Sequence, residues 1–307
     1  FPYTTLFRSA GVGELIVKNT DSVYVNFPEF HDKKCSELWD FCEKVEKEIN
    51  SLFMKPMHLS FESAIYERFL ILTKKRYICL KADKDGHISD KLTIRGVLLT
   101  RRDNADIIRQ IYKDTVMAIL YKKDRNEILE NILSRIEDLF IMKNALASYI
   151  ITKSIGDVGD YKVRPLSEDV QKRNKRLKDL HCDNEEDYKL KSLPANVQLS
   201  EKMRRRGKLI TAGQRIEYVV TNMDKHNGKQ FEKIEDYDYV IEHGDLINID
   251  SLYYLKLMST PMDELLNVGL NIKDYVSQQY KWRLGKWKCM NELKFYFKNH
   301  YREILID

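Results

Sequence analysis

No stretch of this 307-residue chain holds the roughly twenty consecutive apolar residues that a helix needs to cross a bilayer, so a membrane-spanning protein is not expected. Cysteine is scarce as well. Cys35, Cys42, Cys79, Cys182 and Cys289 include no Cys-x-x-Cys pair, which argues against a structural zinc site and for free thiols in a reducing, intracellular compartment. Nor is there a large excess of one charge: 52 basic against 47 acidic residues leave +5, too little for the total to indicate nucleic-acid binding. What remains is the composition of a soluble globular chain, 43% hydrophobic and 32% charged, long enough for one extended domain or two smaller ones.

The basic residues are bunched. They cluster at Lys74-Lys-Arg76, Arg101-Arg102, Lys172 to Lys178 and Lys202 to Lys208, while acidic residues collect from Asp183 to Asp187. Clustered cations neutralise phosphates and release counterions, which gives affinity for nucleic acid without sequence preference. A solvated face is the plain alternative for any one cluster, and it is the reading for Lys172 to Lys178.

Asn19-Thr20-Asp21-Ser22 lies between two β-prone runs, Glu14-Leu-Ile-Val17 and Val23-Tyr-Val-Asn-Phe27. This pattern predicts a tight hairpin with Asp21 at its tip, where a carboxylate can project into a cleft and bind a hard divalent cation, although such a tetrapeptide is also an ordinary turn. From Lys34 to Phe53, Cys35, Leu38, Phe41, Cys42, Val45, Ile49 and Leu52 recur at helical spacing and are expected in the core. After Pro56, strands are expected at Met57 to Glu62, Phe69 to Leu72, Tyr77 to Lys81 and Leu92 to Leu99, with a turn at Asp83-Lys-Asp-Gly86. Asp103 or Asn104 could cap a helix running to about Tyr121, and a second helix fits Arg125 to Phe140. A change of character from Ala145 to Ile151 marks a domain boundary, followed by a charged, exposed and partly helical insertion over about residues 163–192. Residues 246–268 read as helix with Tyr253 and Tyr254 in its core, and the tail with Trp282 and Trp287 suits a last packed helix.

In order along the chain, these pieces resemble the palm and thumb of family B DNA polymerases. The hairpin is similar to that family's Tyr-Gly-Asp-Thr-Asp-Ser motif, with Val17, Lys18 and Asn19 in its first three places. Leu59-Ser-Phe-Glu62 resembles a palm strand, Leu72-Thr-Lys-Lys-Arg-Tyr77 the segment that holds the primer end, and Gly96-Val-Leu-Leu-Thr-Arg-Arg-Asp103 the motif that follows it. Ile151-Thr-Lys-Ser154 with Asp160-Tyr-Lys162, Pro194 to Leu199, Arg204-Arg-Arg-Gly207, Ala212 to Tyr218 and Ile249 to Leu255 resemble successive thumb elements. The resemblance spans roughly residues 12–268. It implies an α+β chain: an antiparallel palm sheet with packed helices over residues 10–145, then a mostly α-helical thumb over residues 146–307.

The chemistry so implied is nucleotidyl transfer from a deoxynucleoside triphosphate to a primer 3′ hydroxyl, assisted by two Mg²⁺ ions. Asp21 matches a metal-binding aspartate of the family, whereas Asn19 offers only a neutral carbonyl oxygen. The resemblance assigns Lys74, Lys75, Arg76 and Tyr77 to the primer strand, and Lys153, Arg204, Arg205 and Arg215 to the duplex backbone. Expected partners are primer-template DNA and, in the full-length protein, dNTP; a processivity factor is a further candidate. Phe1 to Ser9 is similar to what a sequencing adaptor encodes and is set aside from the fold. No upstream palm strand, triphosphate-binding fingers helix or exonuclease carboxylates are found, so the chain reads as the palm end and thumb of a polymerase, inactive alone, with a lineage leaning toward a large DNA virus. The competing reading is a non-catalytic duplex DNA-binding protein derived from such an enzyme.

Overall fold

The computed structural model describes residues 14–18, 23–97, 101, 103–156, 161, 163, 165–179, 182–221, 230–244 and 248–304. The chain divides into two compact units, one of residues 1–98 with 119–123 and 268–270, the other of residues 99–118, 124–267 and 271–307. It is a mixed α and β chain, as expected from its sequence, and among the described residues the strands form three antiparallel sheets, one of them in the second unit, which was expected to be mostly helical. Among the described residues no helix is long and apolar enough to cross a membrane.

In the first unit, β1 (Glu14–Lys18) and β2 (Val23–Asn26) form an antiparallel hairpin whose ladder closes at Lys18 opposite Val23. The connecting residues, with Asn19 and Asp21 among them, lie outside the described residues. Helix α1 (Cys35–Ser51) follows, close to the expected span. Its apolar stripe is not core, however: no residue of the helix is fully buried, and Leu52, just past its end, is 65% exposed. Periodicity reports which face is apolar and not how much covers it. Here Phe41 meets the rings of Phe27 and Phe30 at 5.3 and 4.8 Å, and Trp39 meets Phe61 at 5.1 Å, a half-buried aromatic seam.

The expected strand at Met57 to Glu62 does not form. Both polar groups of Leu59 are taken by one side chain: Asn50 Nδ2 donates to its carbonyl at 2.7 Å and Asn50 Oδ1 accepts its amide at 2.8 Å. With those groups satisfied by a carboxamide, the backbone there gains nothing from a neighbouring strand. The sheet consists of β3 (Ile65–Thr73), β4 (Arg76–Ala82) and β5 (Thr93–Arg95), in that order and antiparallel. Ile78, Cys79 and Leu80 in the central strand are fully buried, as a strand flanked on both edges should be. β5 stops at Arg95, where Gly96 takes a positive φ of 66° and leaves the extended conformation, while Leu98 and Leu99 of the expected strand lie outside the described residues.

Helix α2 (Asp106–Leu120) begins later than a cap at Asp103 or Asn104 would place it. Helix α3 (Arg125–Phe140) has the expected bounds. Asp124 caps it by accepting the amides of Asn126 and Glu127 at 2.8 and 3.2 Å, and Ile128, Ile132, Ile136 and Leu139 form its buried stripe. The second unit's sheet joins β6 (Ile151–Ser154), β7 and β8, where β7 is Arg215–Val220 and β8 is Ile234–Asp236. The insertion supplies α4 (Val170–Asp179) and α5 (Glu185–Ser192), and α6 (Ala195–Arg205) follows. Helix α7 (Ser251–Leu270) supplies much of the core, with Tyr254, Leu255, Met258, Met262, Leu265 and Leu266 at 0% exposure. The Tyr254 hydroxyl donates to the Tyr149 carbonyl at 2.8 Å and accepts the Val220 amide at 2.9 Å. Asp263 on α7 accepts the amides of Val276 and Ser277 at 2.7 and 3.0 Å, seating the start of α8 (Tyr275–Ile304), the expected tail helix.

Candidate nucleic-acid interface

β3 and β4 are joined by the two residues Lys74 and Lys75, with Thr73 opposite Arg76. Both lysines are exposed and Arg76 is half-buried, so three cations are grouped at one end of the sheet. Lys75 holds a φ of +65°, a left-handed backbone that non-glycine residues adopt only when the surroundings fix it. What fixes it is the return of the third strand. The ladder pairs Tyr77 with Arg95, which carries Gly96 beneath the turn, where a Cβ built on Gly96 would stand 2.3 Å from the Lys75 carbonyl oxygen.

Tyr77 follows these cations and is buried at 4% exposure. Its ring stacks on Phe69 at 5.3 Å, and its hydroxyl lies 2.9 Å from the hydroxyl of Tyr24 on β2. Tyr24 in turn contacts the rings of Tyr66, Phe69 and Tyr77 at 5.1, 5.2 and 5.3 Å. Burial, followed by the hydrogen bond with Tyr77, pushes the Tyr24 hydroxyl well above the ordinary tyrosine range. Burial and the charge of Glu62 raise Tyr66 to about 12. Both phenols are therefore neutral at physiological pH, and the cluster holds the β1–β2 hairpin against the strand that starts at Arg76. Tyr24 was hidden in the sequence as one residue of a β-prone run. Its signal was an aromatic at the third position after Asp21, facing the strand of Tyr66 and Phe69.

The basic residues of the second unit are arranged less openly. Arg204 donates to the Ile210 carbonyl at 2.9 Å and pairs with Glu201, while Arg205 is exposed. Around them Glu235 receives Lys202 and Arg206, and Lys208 bridges Asp236 and Asp238. Burial pushes the Glu235 carboxyl up, and the bonds from Arg206 and Lys202 outweigh it, so it stays below the ordinary carboxylate range. Most of the Lys202 to Lys208 run is thus matched by acids from β8 and just beyond. Register also separates two candidates: Lys153 pairs with buried Ile216, whereas Arg215 pairs with Ser154, so Lys153 and Arg215 project to opposite faces of the β6–β7 ladder. Arg102 and Asp21 lie outside the described residues.

Among the described residues one cluster brings metal-ligand atoms within 4.8 Å of one another: Asp83, Asp85 and His87, all exposed. It sits at the expected Asp83-Lys-Asp-Gly86 turn, where Asp83 Oδ1 accepts the amides of Asp85 and His87 at 3.0 and 2.8 Å. Those bonds are what an aspartate contributes to a turn.

A family model described as DNA polymerase family B matches residues 14–268. The chain is 35% identical to "DNA polymerase 120R" of Invertebrate iridescent virus 3, over 96% of this chain and 28% of that protein. It is 33% identical to "Putative DNA polymerase 060R" of Frog virus 3, over 92% of this chain and 30% of that protein. Among solved structures, the family B DNA polymerase from the hyperthermophilic archaeon Pyrobaculum calidifontis is similar in fold, with a TM-score of 0.50 and 18% identity over 87% of this chain and 28% of that one. The chain therefore spans about three tenths of the length of these viral relatives.

Proposed function

The chain belongs to DNA polymerase family B, and from that premise we propose that it is the palm end and thumb of a template-directed DNA polymerase, with the palm running to about residue 145. In this reading Asp21 is a metal-binding carboxylate, Lys74, Lys75 and Arg76 grip the primer strand, and the exposed Arg205 and Arg215 are the candidates for duplex phosphates, ahead of Lys153 on the other face of the β6–β7 ladder and Arg204, which Glu201 already pairs. One observation supports the reading above the rest. The Tyr24 to Tyr77 hydroxyl bond of 2.9 Å ties the strand that follows Asp21 to the strand that leaves the Lys74-Lys75-Arg76 turn. A carboxylate and a phosphate-binding turn that must serve one primer terminus need such a tie, since a small misplacement of reacting groups is costly.

Asp21 supplies a hard oxygen donor of the kind Mg²⁺ takes, and as a single carboxylate it would be a partial ligand set for other donors to complete. When bound, Mg²⁺ supplies charge stabilisation for the attacking and departing oxygens of nucleotidyl transfer. The work of this chain's own residues is positional. Lys74 and Lys75 offer point charges to phosphates on flexible stems, and Arg76 a planar fork.

The test requires a completed enzyme. Residues 14–307 are grafted onto the preceding region of a close viral relative, and single-nucleotide primer extension is measured with Mg²⁺. Asp21→Asn is expected to lower the rate by roughly two or more orders of magnitude, through loss of ligand charge at the transition state. An active chimera whose extension rate is indifferent to Asp21 would leave the hairpin as a turn and the chain as a binding module.

A further inference from the structure

Gly96 is the residue on which the conformation of the cationic turn depends. Its φ of +66° and the φ of +65° at Lys75 place two left-handed residues against each other across the end of the sheet. A Cβ at Gly96 would meet the Lys75 carbonyl oxygen at 2.3 Å, the Lys75 carbonyl carbon at 3.2 Å and the Arg76 Cγ at 3.0 Å. The first two are backbone atoms, which cannot swing aside as a side-chain end can. A side chain at position 96 must therefore displace the Lys74-Lys75-Arg76 backbone itself. Val97, next in sequence, is buried at 4% exposure, so the chain at Gly96 has little room to retreat and the movement falls on the turn. We propose that Gly96 is a positioning residue for the primer-strand grip: the space left by its missing side chain receives the Lys75 carbonyl and thereby sets where three cations meet a nucleic-acid phosphate backbone.

This inference rests on the reading of Lys74, Lys75 and Arg76 as phosphate contacts, and the experiment separates the two. The intact chain is titrated with a primed DNA duplex at several salt concentrations. The variants are Gly96→Ala, Gly96→Asn, the triple Lys74→Ala/Lys75→Ala/Arg76→Ala, and the triple combined with each Gly96 substitution. Each phosphate neutralised contributes about 0.9 to the slope of log K against log salt, so the triple variant should flatten it by up to about 2.7. Both Gly96 variants should flatten it by about one or more in the native turn and by nothing further in the triple-alanine background. Asparagine tolerates left-handed backbone but still carries a Cβ, so it separates the close approach from the φ requirement. If Gly96→Asn binds as the wild type does, or if the Gly96 variants weaken binding equally with and without the three cations, the proposal is overturned. Failure of both Gly96 variants to fold would likewise assign the glycine to the sheet and overturn it. A triple variant with an unchanged slope removes the phosphate reading itself, and Gly96 with it.

Discussion

Tyr24→Phe should loosen the hairpin that carries Asp21 by an amount that the geometry predicts. The substitution deletes one hydroxyl, 2.9 Å from that of Tyr77, and leaves the ring contacts with Tyr66, Phe69 and Tyr77 in place. A net hydrogen bond contributes about 1 kcal/mol, and because Tyr77 is 4% exposed its abandoned hydroxyl adds a desolvation cost, for a total of roughly 1 to 2 kcal/mol. Tyr24→Ala also removes three aromatic contacts worth about 0.5 to 1.5 kcal/mol each, but Tyr24 is only half-buried, so about 3 kcal/mol is expected. Trp39 is the one tryptophan in the first unit, beside Phe61 at 5.1 Å, and reports on that unit once Trp282 and Trp287 are replaced by phenylalanine. Urea unfolding followed by its fluorescence measures the loss, and a double-mutant cycle with Tyr77→Phe should return a coupling of about 1 kcal/mol. Zero coupling, with Tyr24→Phe as stable as the wild type, would refute the latch.

Two further outcomes concern the second unit. Burial, with smaller contributions from neighbouring charges, raises the hydroxyls of Tyr218 and Tyr254 above their ordinary value of 10.0, so the folded chain holds protons that the unfolded chain releases. Stability should be complete below about pH 10 and fall by up to about 1.4 kcal/mol per pH unit per tyrosine above it, and urea unfolding from pH 9 to 11.5 should show a shallower decline in Tyr254→Phe. Glu235, held below its ordinary 4.5, contributes in the opposite sense: its stabilisation is present above that pH and is lost as pH falls through the lowered folded value. Glu235→Gln should cost about 2 kcal/mol at pH 7 and progressively less as the pH is lowered below 4.5; a cost independent of pH would mean that Lys202 and Arg206 take nothing from the charge.

Several of these features were legible beforehand, and the reasons differ. Helix α3 was readable because Ile128, Ile132, Ile136 and Leu139 repeat at helical spacing behind Asp124, a purely local signal. The hairpin was readable because two β-prone runs flank a polar tetrapeptide. By contrast, the loss of a strand at Met57 to Glu62 depends on Asn50, nine residues away, and the close approach that leaves no room for a side chain at Gly96 on a carbonyl twenty-one residues back in the chain. The Lys202 to Lys208 run advertised an open cationic face, yet its partners Glu235, Asp236 and Asp238 arrive 28 to 33 residues later. Charge runs show what a segment can attract, and only the fold decides whether the attraction is already spent. The Tyr77 hydroxyl illustrates the same point, since no local pattern pairs it with Tyr24 across 53 residues.

The Tyr254 hydroxyl imposes an order on synthesis. The Tyr149 carbonyl precedes it by 105 residues and the Val220 amide by 34, and both meet that one oxygen in the interior. A ribosome adding about 5 to 20 residues each second leaves the finished end of β7 without this partner for roughly 2 to 7 seconds. During that interval the nascent sheet must keep its inner edge hydrated, and the core closes behind it only when α7 emerges.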